Sequence, residues 1–437
     1  MNGSPELGAR EPRAGGLLGK ARFLPLFVTQ FLGAMNDNLF KNALVLLALY
    51  RLNGGGPVIV ALAGGVFILP YVMFSSLAGQ LADMHEKSRL IRLTKYGELA
   101  IMLAAAVGFV MENIPVLLLA LFGLGIQAAF FSPLKYGILP QHLREDELLA
   151  GNGLIEAGTF VGILLGTIGG GLLIAMPGGD RIVPLAGLLL AAAGIAAAHG
   201  VPQAPPGPDV PRKIGWNIPK ETMVLLREAR ANPPVWAALL GISWFWALGA
   251  TLLAEFPTIA RVELQSGAQV VTAMLTVFSV GVGLGSLFCA RLLRGEISAR
   301  LVPWAGLGIS LFTADFGFTA GSAGAAHAVL NLPRALQGWR MLFDLLALST
   351  CGGCYSVPLY AICQEYSAPS HRARMIAANN VLNAGAMALA AALVAAGYAA
   401  WQDAPGILIL TSVINFGVAV WMFRVLPVFG ARPGGRR

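Results

Sequence analysis

The chain has 437 residues, of which 56% are hydrophobic and only 12% charged, and its formal net charge is +8 at pH 7. Soluble domains carry about 25% charged residues, so this composition excludes a water-soluble globular protein and indicates a polytopic membrane protein. The first residues are polar and Gly-rich, and the first apolar run is too long for the hydrophobic part of a signal peptide. We therefore expect no secretory signal.

Apolar runs long enough to cross a bilayer, which takes about 20 residues, predict twelve spans and an all-α fold. The predicted spans are 24–50, 58–82, 93–111, 116–131, 149–176, 182–199, 234–260, 269–293, 301–320, 341–362, 375–398 and 404–423. A stretch rich in proline and charge separates the sixth span from the seventh, and its part 220–230 is a candidate amphipathic helix on the membrane surface. The expected domains are a tail (1–22), a six-helix bundle (23–199), a linker (200–233), a second bundle (234–424) and a tail (425–437).

Lysine and arginine concentrate at alternate connections between these spans. Counted over the whole chain, 24 fall on the side of the N-terminus, five fall on the other side, and Lys41 lies inside an apolar run. Because positive charge is retained in the cytoplasm, this asymmetry predicts that both termini are cytoplasmic. The net charge is thus a topology signal, and we read no nucleic-acid binding from it.

A carboxylate lies in the middle of the first predicted span. Asp37 falls about 20 Å along that helix, near the membrane midplane, where a charge costs roughly 2.5–3.5 kcal/mol on insertion scales. Lys41 lies one turn later on the same face and is placed to pair with it. The polar face consists of Gln30, Gly33, Asp37 and Lys41, with Asn36 and Asn38 beside the acid. Such a face predicts a water-filled cavity rather than contact with lipid.

The two halves of the chain repeat each other. Residues 150–158 align without gaps to 377–385, and Pro133-Leu134 upstream matches Pro358-Leu359. Chance similarity of Ala/Gly-rich helices is the alternative. It does not explain the asparagine that both halves carry at the same position, Asn152 and Asn379. Two parallel six-helix repeats around a central site are typical of the major facilitator fold.

The end of the second predicted span resembles the loop motif of major facilitators. Gly79 and Asp83 form its G-x-x-x-D core, with Lys87 and Arg89 downstream. The resemblance implies that Gly79 permits close packing, and that Asp83 latches the cytoplasmic helix ends with Arg89 as partner. Lys87, or a residue beyond this loop, is the alternative partner. The sequence departs from the motif at Met84 and Glu86.

Two further patterns have a structural interpretation that we favour. Glycines from Gly153 to Gly171 match the antiporter pattern of drug exporters, but small residues at this spacing also let helices approach closely. Cys351 and Cys354 are spaced like a metal or redox pair, yet no second Cys/His pair completes a site. We predict that both patterns serve helix packing.

Four segments are similar to the bacterial lysophospholipid transporter family, and also to the transporter part of fused transporter–acyltransferase proteins. They are 27–43, 131–140, 152–159 and 245–251. The resemblance implies a flippase-like carrier that moves lysophospholipids from the outer to the inner leaflet of the bacterial inner membrane, for re-acylation inside. It implies no enzyme activity and no cofactor, a monomer, and a cytoplasmic acyltransferase as candidate partner. Family members often carry an arginine where this chain has Leu253, which leaves headgroup preference open.

The predicted substrate residues follow from that cargo. Lys41 and Lys135 can meet a phosphate, and Asp37 or Glu156 an ethanolamine ammonium. The predicted transport residues are Gln30, Asn36, Asp37, Asn38, Lys41, Lys135, Tyr136, Asn152, Glu156 and Asn383, and the predicted gating residues are Gly79, Asp83 and Arg89. The asparagines Asn379, Asn380 and Asn383 can equally join helices. Glu98, Glu255 and Asp344 are assigned to snorkelling or capping, and Asp315 remains a candidate.

Two other functions compete with the lipid carrier. One is a proton-coupled carrier or exporter of a soluble solute or drug, with Asp37 or Glu156 as the proton site. The other is a membrane enzyme or a scaffold for an acyltransferase. The five histidines are scattered, which argues against an enzyme, and a scaffold has no need of Asp37 and Lys41 at the midplane.

Overall fold

The computed structural model describes residues 14–50, 56–207, 213–322, 336–401 and 403–426. Most of the two predicted tails lies outside these ranges. So do several residues of the charge count and one histidine: Arg10, Arg13, Arg51, Arg212, His327, Arg334, Arg432, Arg436 and Arg437.

Regular structure in the described ranges is helical throughout, which confirms the predicted all-α fold. The helices are α1 (Ala14–Leu17), α2 (Leu24–Tyr50), α3 (Gly56–Met84), α4 (Lys87–Val110), α5 (Ile114–His142), α6 (Glu145–Ala175), α7 (Gly179–His199), α8 (Ile218–Arg230), α9 (Pro233–Thr258), α10 (Ala268–Leu292), α11 (Val302–Ser322), α12 (Leu336–Glu365), α13 (Arg372–Trp401) and α14 (Ala404–Val425). A π-helical turn, Ile259–Glu263, follows α9.

Each predicted span coincides with one long helix, and the predicted amphipathic segment is α8. In the described part, ten helices are long and apolar enough to cross a membrane by length and composition alone. Neither α2, which carries the polar face, nor α11 is among these ten.

Two helix ends differ from the prediction in a way that matters for the site. Helix α4 begins at Lys87 instead of residue 93, because Glu86 caps it by accepting hydrogen bonds from the amides of Ser88 and Arg89, both at 2.8 Å. Helix α5 continues to His142, through two internal prolines. As a result, Lys87 lies in α4 and Lys135 lies in α5, although both fall outside the predicted spans.

The helices pack in two groups. In the first, α2 lies along α6 and α7, while α4 and α3 pack on α5; in the second, α12 joins α10 to α11, with α14 on α11 and α13 on α9. The glycines of α6 permit this packing, since a Cβ at Gly166 would lie 2.2 Å from Met35 O and one at Gly170 would lie 2.3 Å from Leu39 O. The packing interpretation of the glycine pattern is confirmed. The exact domain bounds stay a prediction.

Among the described residues, the two groups meet mainly along α3–α13 and α6–α10, with further contacts of α13 on α5 and of α12 on α6, and the close approach of Gly79 to Ala377 marks one face of this contact. We call it the linker face, because α8 and the segment 201–207 lie there, where Lys87 N donates to Ala204 O. On this side, α13 is buried at every position from 375 to 380. Farther along the same helix, none of the residues 385–400 is buried. The groups are therefore closed at the linker face and separated toward the opposite face.

Candidate functional site

A cavity of about 350 Å³ lies between the two groups, lined by side chains of α2, α3, α4, α5, α6, α9, α12 and α13. Seven of the predicted transport residues line it, namely Gln30, Asp37, Asn38, Lys41, Lys135, Tyr136 and Asn383. Three others, Asn36, Asn152 and Glu156, lie outside the lining and are corrected below.

Asp37 lines this cavity from α2. Its Oδ1 atom is buried and accepts no hydrogen bond within the described part of the chain. Its electrostatic neighbours are Glu98, Lys95, Lys41 and Lys135. The predicted direct pair with Lys41 is wrong: that ammonium lies 5.7 Å from the Phe67 ring centroid, and no ion pair within 4.0 Å joins it to Asp37 among the described residues. Carboxylate and ammonium are both left available to a ligand.

Behind the lining lies a buried polar cluster that the sequence did not predict. Glu98 on α4 accepts hydrogen bonds from Lys95 Nζ at 2.6 Å, from Asn36 Nδ2 at 2.9 Å and from Gln127 Nε2 at 3.2 Å. Asn36 thus supports Glu98 rather than facing the cavity. The snorkelling or capping role assigned to Glu98 is wrong, because the side chain is fully enclosed. Glu255 and Asp344 are also buried and do not snorkel.

The floor of the cavity, toward the linker face, is built from one tyrosine of each group. The rings of Tyr136 and Tyr360 stack with centroids 4.4 Å apart and planes 7° apart. Tyr136 Oη donates to Glu156 Oε2 at 3.2 Å, and Trp246 Nε1 donates to Tyr360 Oη at 3.0 Å. Glu156 therefore lies beneath the floor, where it holds Tyr136 in place.

Asn152 lies beneath the same floor. Its Nδ2 donates to Gln364 Oε1 at 2.6 Å, and Gln364 Nε2 donates back to Asn152 Oδ1 at 3.1 Å. This reciprocal amide pair joins α6 to α12 and has no contact with the cavity. Sequence reasoning missed Tyr360 and Gln364. A signal for Tyr360 existed, because a tyrosine follows the matched Pro-Leu pair in both halves of the chain.

At the linker face, Asp83 joins the two groups directly. Its carboxylate accepts hydrogen bonds from the amides of Ala373 and Arg374, both at 3.0 Å. These amides open α13, where backbone donors have no partner within their own helix. Gly79 permits the approach, since a Cβ there would lie 2.7 Å from Ala377 Cβ. The predicted partner Arg89 is wrong: its side chain is 78% exposed and reaches only Glu86, at 3.9 Å.

The second group contributes only uncharged side chains to the lining. Asn383 Oδ1 accepts from Ser243 Oγ at 2.8 Å, and Asn380 Oδ1 accepts from Ser132 Oγ at 2.9 Å, so both asparagines join helices as well as face the cavity. Leu253 also lines the cavity. The candidate Asp315 lies elsewhere, paired with Arg340, whose Nε donates to Oδ2 at 2.8 Å.

Within the described ranges, no group of three His, Cys, Asp or Glu side chains is arranged to hold a metal ion. The four cysteines are unpaired. A Cβ at Gly353, inside the Cys351–Cys354 segment, would lie 2.4 Å from Ser286 N of α10, which supports the packing interpretation of this segment.

The Major Facilitator Superfamily matches this chain over residues 26–391. The lysophospholipid transporters LplT of Salmonella newport (strain SL254) and Salmonella typhimurium (strain LT2) are each 31% identical to it over 358 residues, which is 78% of this chain and 79% of theirs. The chain belongs to the lysophospholipid transporter family of the major facilitator superfamily. It is a multi-pass membrane transporter and not an enzyme.

Solved structures agree with this fold. The human organic anion transporter MFSD10 (TETRAN) superimposes with a TM-score of 0.73 at 16% identity, covering 93% of this chain and 99% of that one. The E. coli fucose:proton symporter FucP superimposes with a TM-score of 0.69 at 13% identity, covering 92% and 97%. At these identities the likeness extends to the fold alone.

Proposed function

We propose that this protein carries lysophospholipids from the outer to the inner leaflet of the bacterial inner membrane by alternating access. The observation that supports this best is the division of the cavity into two walls. All four charged lining residues, Asp37, Lys41, Lys95 and Lys135, belong to the first group of helices. The wall opposite carries no charge and is mainly apolar and aromatic, with the amides of Asn380 and Asn383 as its polar groups. A lysophospholipid, with one charged headgroup and one acyl chain, has the same division.

The charged wall suits a phosphate-containing headgroup. Lys41 and Lys135 line the cavity, and so does Asp37, whose Oδ1 accepts no hydrogen bond from the described chain. Ammonium groups bind phosphate as point charges, and a carboxylate binds the ammonium of ethanolamine. This combination favours a zwitterionic headgroup such as phosphoethanolamine. Leu253 adds no charge on the other side, so headgroup recognition rests on the first group.

The apolar wall suits the acyl chain. Phe160, Trp246, Leu253 and Met387 line this part of the cavity. Phe160 stacks on Trp246 with ring centroids 6.1 Å apart, which forms a continuous aromatic surface across the two groups. An acyl chain that arrives from the bilayer is already in hydrocarbon, so this wall lets the chain stay in apolar surroundings at little cost and leaves selectivity to the headgroup. The unburied outer part of α13 adjoins it and offers the chain a path from the bilayer.

The closed linker face supports transport from the outer to the inner leaflet. Positive charge places the linker face in the cytoplasm, with both termini. The cavity is closed there by Asp83 and the tyrosine floor, so it receives its substrate from the outer leaflet. Release toward the cytoplasm delivers the lysolipid to the inner leaflet, where a cytoplasmic acyltransferase would consume it. The transporter would act as a monomer, since each chain supplies a complete cavity.

One observation favours a second candidate, a proton-coupled carrier of a soluble solute. One buried carboxyl oxygen of each acid, Asp37 Oδ1 and Glu156 Oε1, has no hydrogen-bond partner among the described residues, which leaves each as a place for a proton. Proton coupling is compatible with lipid cargo as well. The two candidates therefore differ in cargo rather than in the site.

The deciding experiment uses purified protein in proteoliposomes. Lysophosphatidylethanolamine with a labelled acyl chain is added from outside, and the fraction that albumin can no longer extract is followed with time. We expect protection from albumin to rise with the protein and not with Asp37→Asn, which keeps the side-chain size. Uptake of soluble solutes driven by a pH gradient, without any protection of the lysolipid, would contradict the lipid proposal and favour the second candidate.

A further inference from the structure

Gly33 and Lys95 together place a third ammonium group in the cavity. Lys95 lies on α4, two turns inside that helix, and its side chain is only 1% exposed, yet it belongs to the cavity lining. A Cβ at Gly33 of α2 would lie 2.6 Å from Lys95 Nζ. The missing side chain at Gly33 is therefore the notch through which the ammonium of Lys95 reaches the polar face of α2, between Gln30 and Asp37.

The surroundings hold Lys95 in this position without using up its hydrogen-bonding capacity. An ammonium has three N–H donors, and one of them binds Glu98 Oε2 at 2.6 Å. The ring of Phe131 adds a cation–π contact, with Nζ 5.0 Å from its centroid. Glu98 is itself fixed by Asn36 and Gln127. No other hydrogen bond of Lys95 is made by the described chain, which leaves two donors for a ligand.

We propose that Lys95 is a phosphate-binding residue of the cavity, admitted by the notch at Gly33 and positioned by Glu98. The phosphate is that of a lysophospholipid headgroup, and this inference rests on the proposed function. Lys95 of α4 and Lys135 of α5 both line the cavity, so a phosphate that meets both is bound by cations from two helices, and Asp37 is left to the ethanolamine ammonium. A ligand held from α4 and α5 at once is oriented, which a single flexible lysine does not achieve.

The test compares a ligand that has the phosphate with one that lacks it. Binding of lysophosphatidylethanolamine and of monoacylglycerol with the same acyl chain is measured on the purified full-length protein in nanodiscs. The quantity of interest is the ratio of the two affinities, since a loss of structure weakens both ligands and leaves the ratio unchanged. Glycerol 3-phosphate is included as a competitor, to separate a lipid headgroup from a free phosphate ester.

The variants remove the charge, its partner or the notch. Lys95→Met should lower the ratio about tenfold or more, as expected when one charge-assisted hydrogen bond is lost. Lys95→Met combined with Glu98→Gln should do the same without leaving a buried charge unpaired. Gly33→Ala should lower the ratio while every charge is kept, because its Cβ displaces the flexible ammonium. The matched controls are Lys87→Met, an equally buried lysine of α4 outside the lining, and Gly97→Ala, also outside the lining, where a Cβ meets nothing within 4 Å.

An unchanged ratio in both Lys95 variants would overturn the inference, and would leave Lys95 and Glu98 as a structural ion pair. The inference would fail equally if the wild-type protein bound both lipids alike, because no phosphate would then be recognised. If glycerol 3-phosphate competed as well as the lysolipid and depended on Lys95, the inference would stand and the lipid cargo would be wrong.

Discussion

At the residue scale, the polar face of α2 shows how one side chain marks a function. The cost of placing a carboxylate at the midplane made Asp37 the strongest candidate in the sequence, and the structure puts it on the cavity wall. Its presumed partner was less predictable, because an i,i+4 spacing states which residues share a face and not how their long side chains turn. Lys41 turns toward Phe67 instead.

Asp37→Ala should nearly abolish transport of lysolipid while the protein is still expressed and folded. The reason is that the carboxylate contributes to the site and, having an unpartnered oxygen, little to packing. The albumin-protection assay measures transport, and gel filtration measures folding. Glu296→Gln, an exposed residue outside the cavity, is the control. A wild-type rate in Asp37→Ala would place the site elsewhere.

At the element scale, the contact between α2 and α6 depends on glycines. The backbone of α2 approaches α6 so closely that Gly166→Ala must push the helices apart, since the new Cβ would lie 2.2 Å from a carbonyl oxygen. We expect a loss of about 1–3 kcal/mol in the free energy of unfolding. Gly169→Ala on the same helix is the matched control, because its Cβ lies 3.9 Å from its nearest neighbour, Leu39 Cδ1. Thermal unfolding in detergent measures both, and equal midpoints would contradict the packing argument.

Glu86, one of the two departures from the loop motif, ties α4 to the linker. It accepts a hydrogen bond from the amide of Ala204 at 2.8 Å, besides the two that cap α4. Partial burial raises the pKa of Glu86, but the amides of Ala204, Ser88 and Arg89 and the Ser88 hydroxyl lower it more, so its pKa lies below its usual value. A carboxylate with a lowered pKa stabilises the fold above its unfolded pKa, about 4.3, and this contribution is lost as the pH falls through the folded value.

Glu86→Gln should therefore lower the unfolding midpoint at pH 7, and the difference from wild type should shrink below about pH 4. The measurement is the midpoint of both proteins over a pH series in one detergent. Glu296→Gln, whose carboxylate only pairs on the surface with Arg300, should match the wild type throughout. A difference independent of pH would mean that the charge of Glu86 has no part in the contact.

At the scale of the whole molecule, the transporter is closed at the linker face and separated at the opposite one. In a background without native cysteines, Met387→Cys should be labelled by a membrane-impermeant maleimide from the outer side, since it lines the cavity. Ala377→Cys, fully buried on the same helix, should not be labelled. Labelling of position 377 at the rate of position 387 would contradict the closed linker face.

Asp83→Asn should reduce that labelling at position 387 and slow turnover. A capping side chain contributes about 0.5–2 kcal/mol, and alternating access needs two nearly balanced states, so losing about 1.4 kcal/mol shifts their ratio tenfold toward the inward-open form. Arg89→Gln is the control, because its exposed side chain has no contact with Asp83. Undiminished labelling in Asp83→Asn would mean that the cap does not hold the gate.

Composition and periodicity by themselves determined the helices, the alignment of the two halves indicated the repeat, and the resemblance of four segments indicated the family. A bilayer requires long apolar helices, whatever their neighbours are. A carboxylate such as Asp37 within one of these helices therefore indicates a cavity, even when the residues across the cavity are not known. The segments that resemble the transporter family carry their own signal, and the comparison with known relatives confirmed it.

Only the tertiary structure decided which polar groups share the cavity. Lys95 lies near the start of the predicted span 93–111 and was counted with the positive charges on the N-terminal side. The helix in fact begins at Lys87, because Glu86 caps it, and apolar periodicity does not reveal such a cap. Glu156 and Asn152 lie beneath the floor because Tyr360 and Gln364, more than 200 residues away, occupy the space above and beside them. The role of Gly33 depends on Lys95, which lies on another helix. The spacing of residues along the chain determines on which face of its helix a side chain lies. Which residue that side chain contacts is determined by the packing between helices distant in sequence.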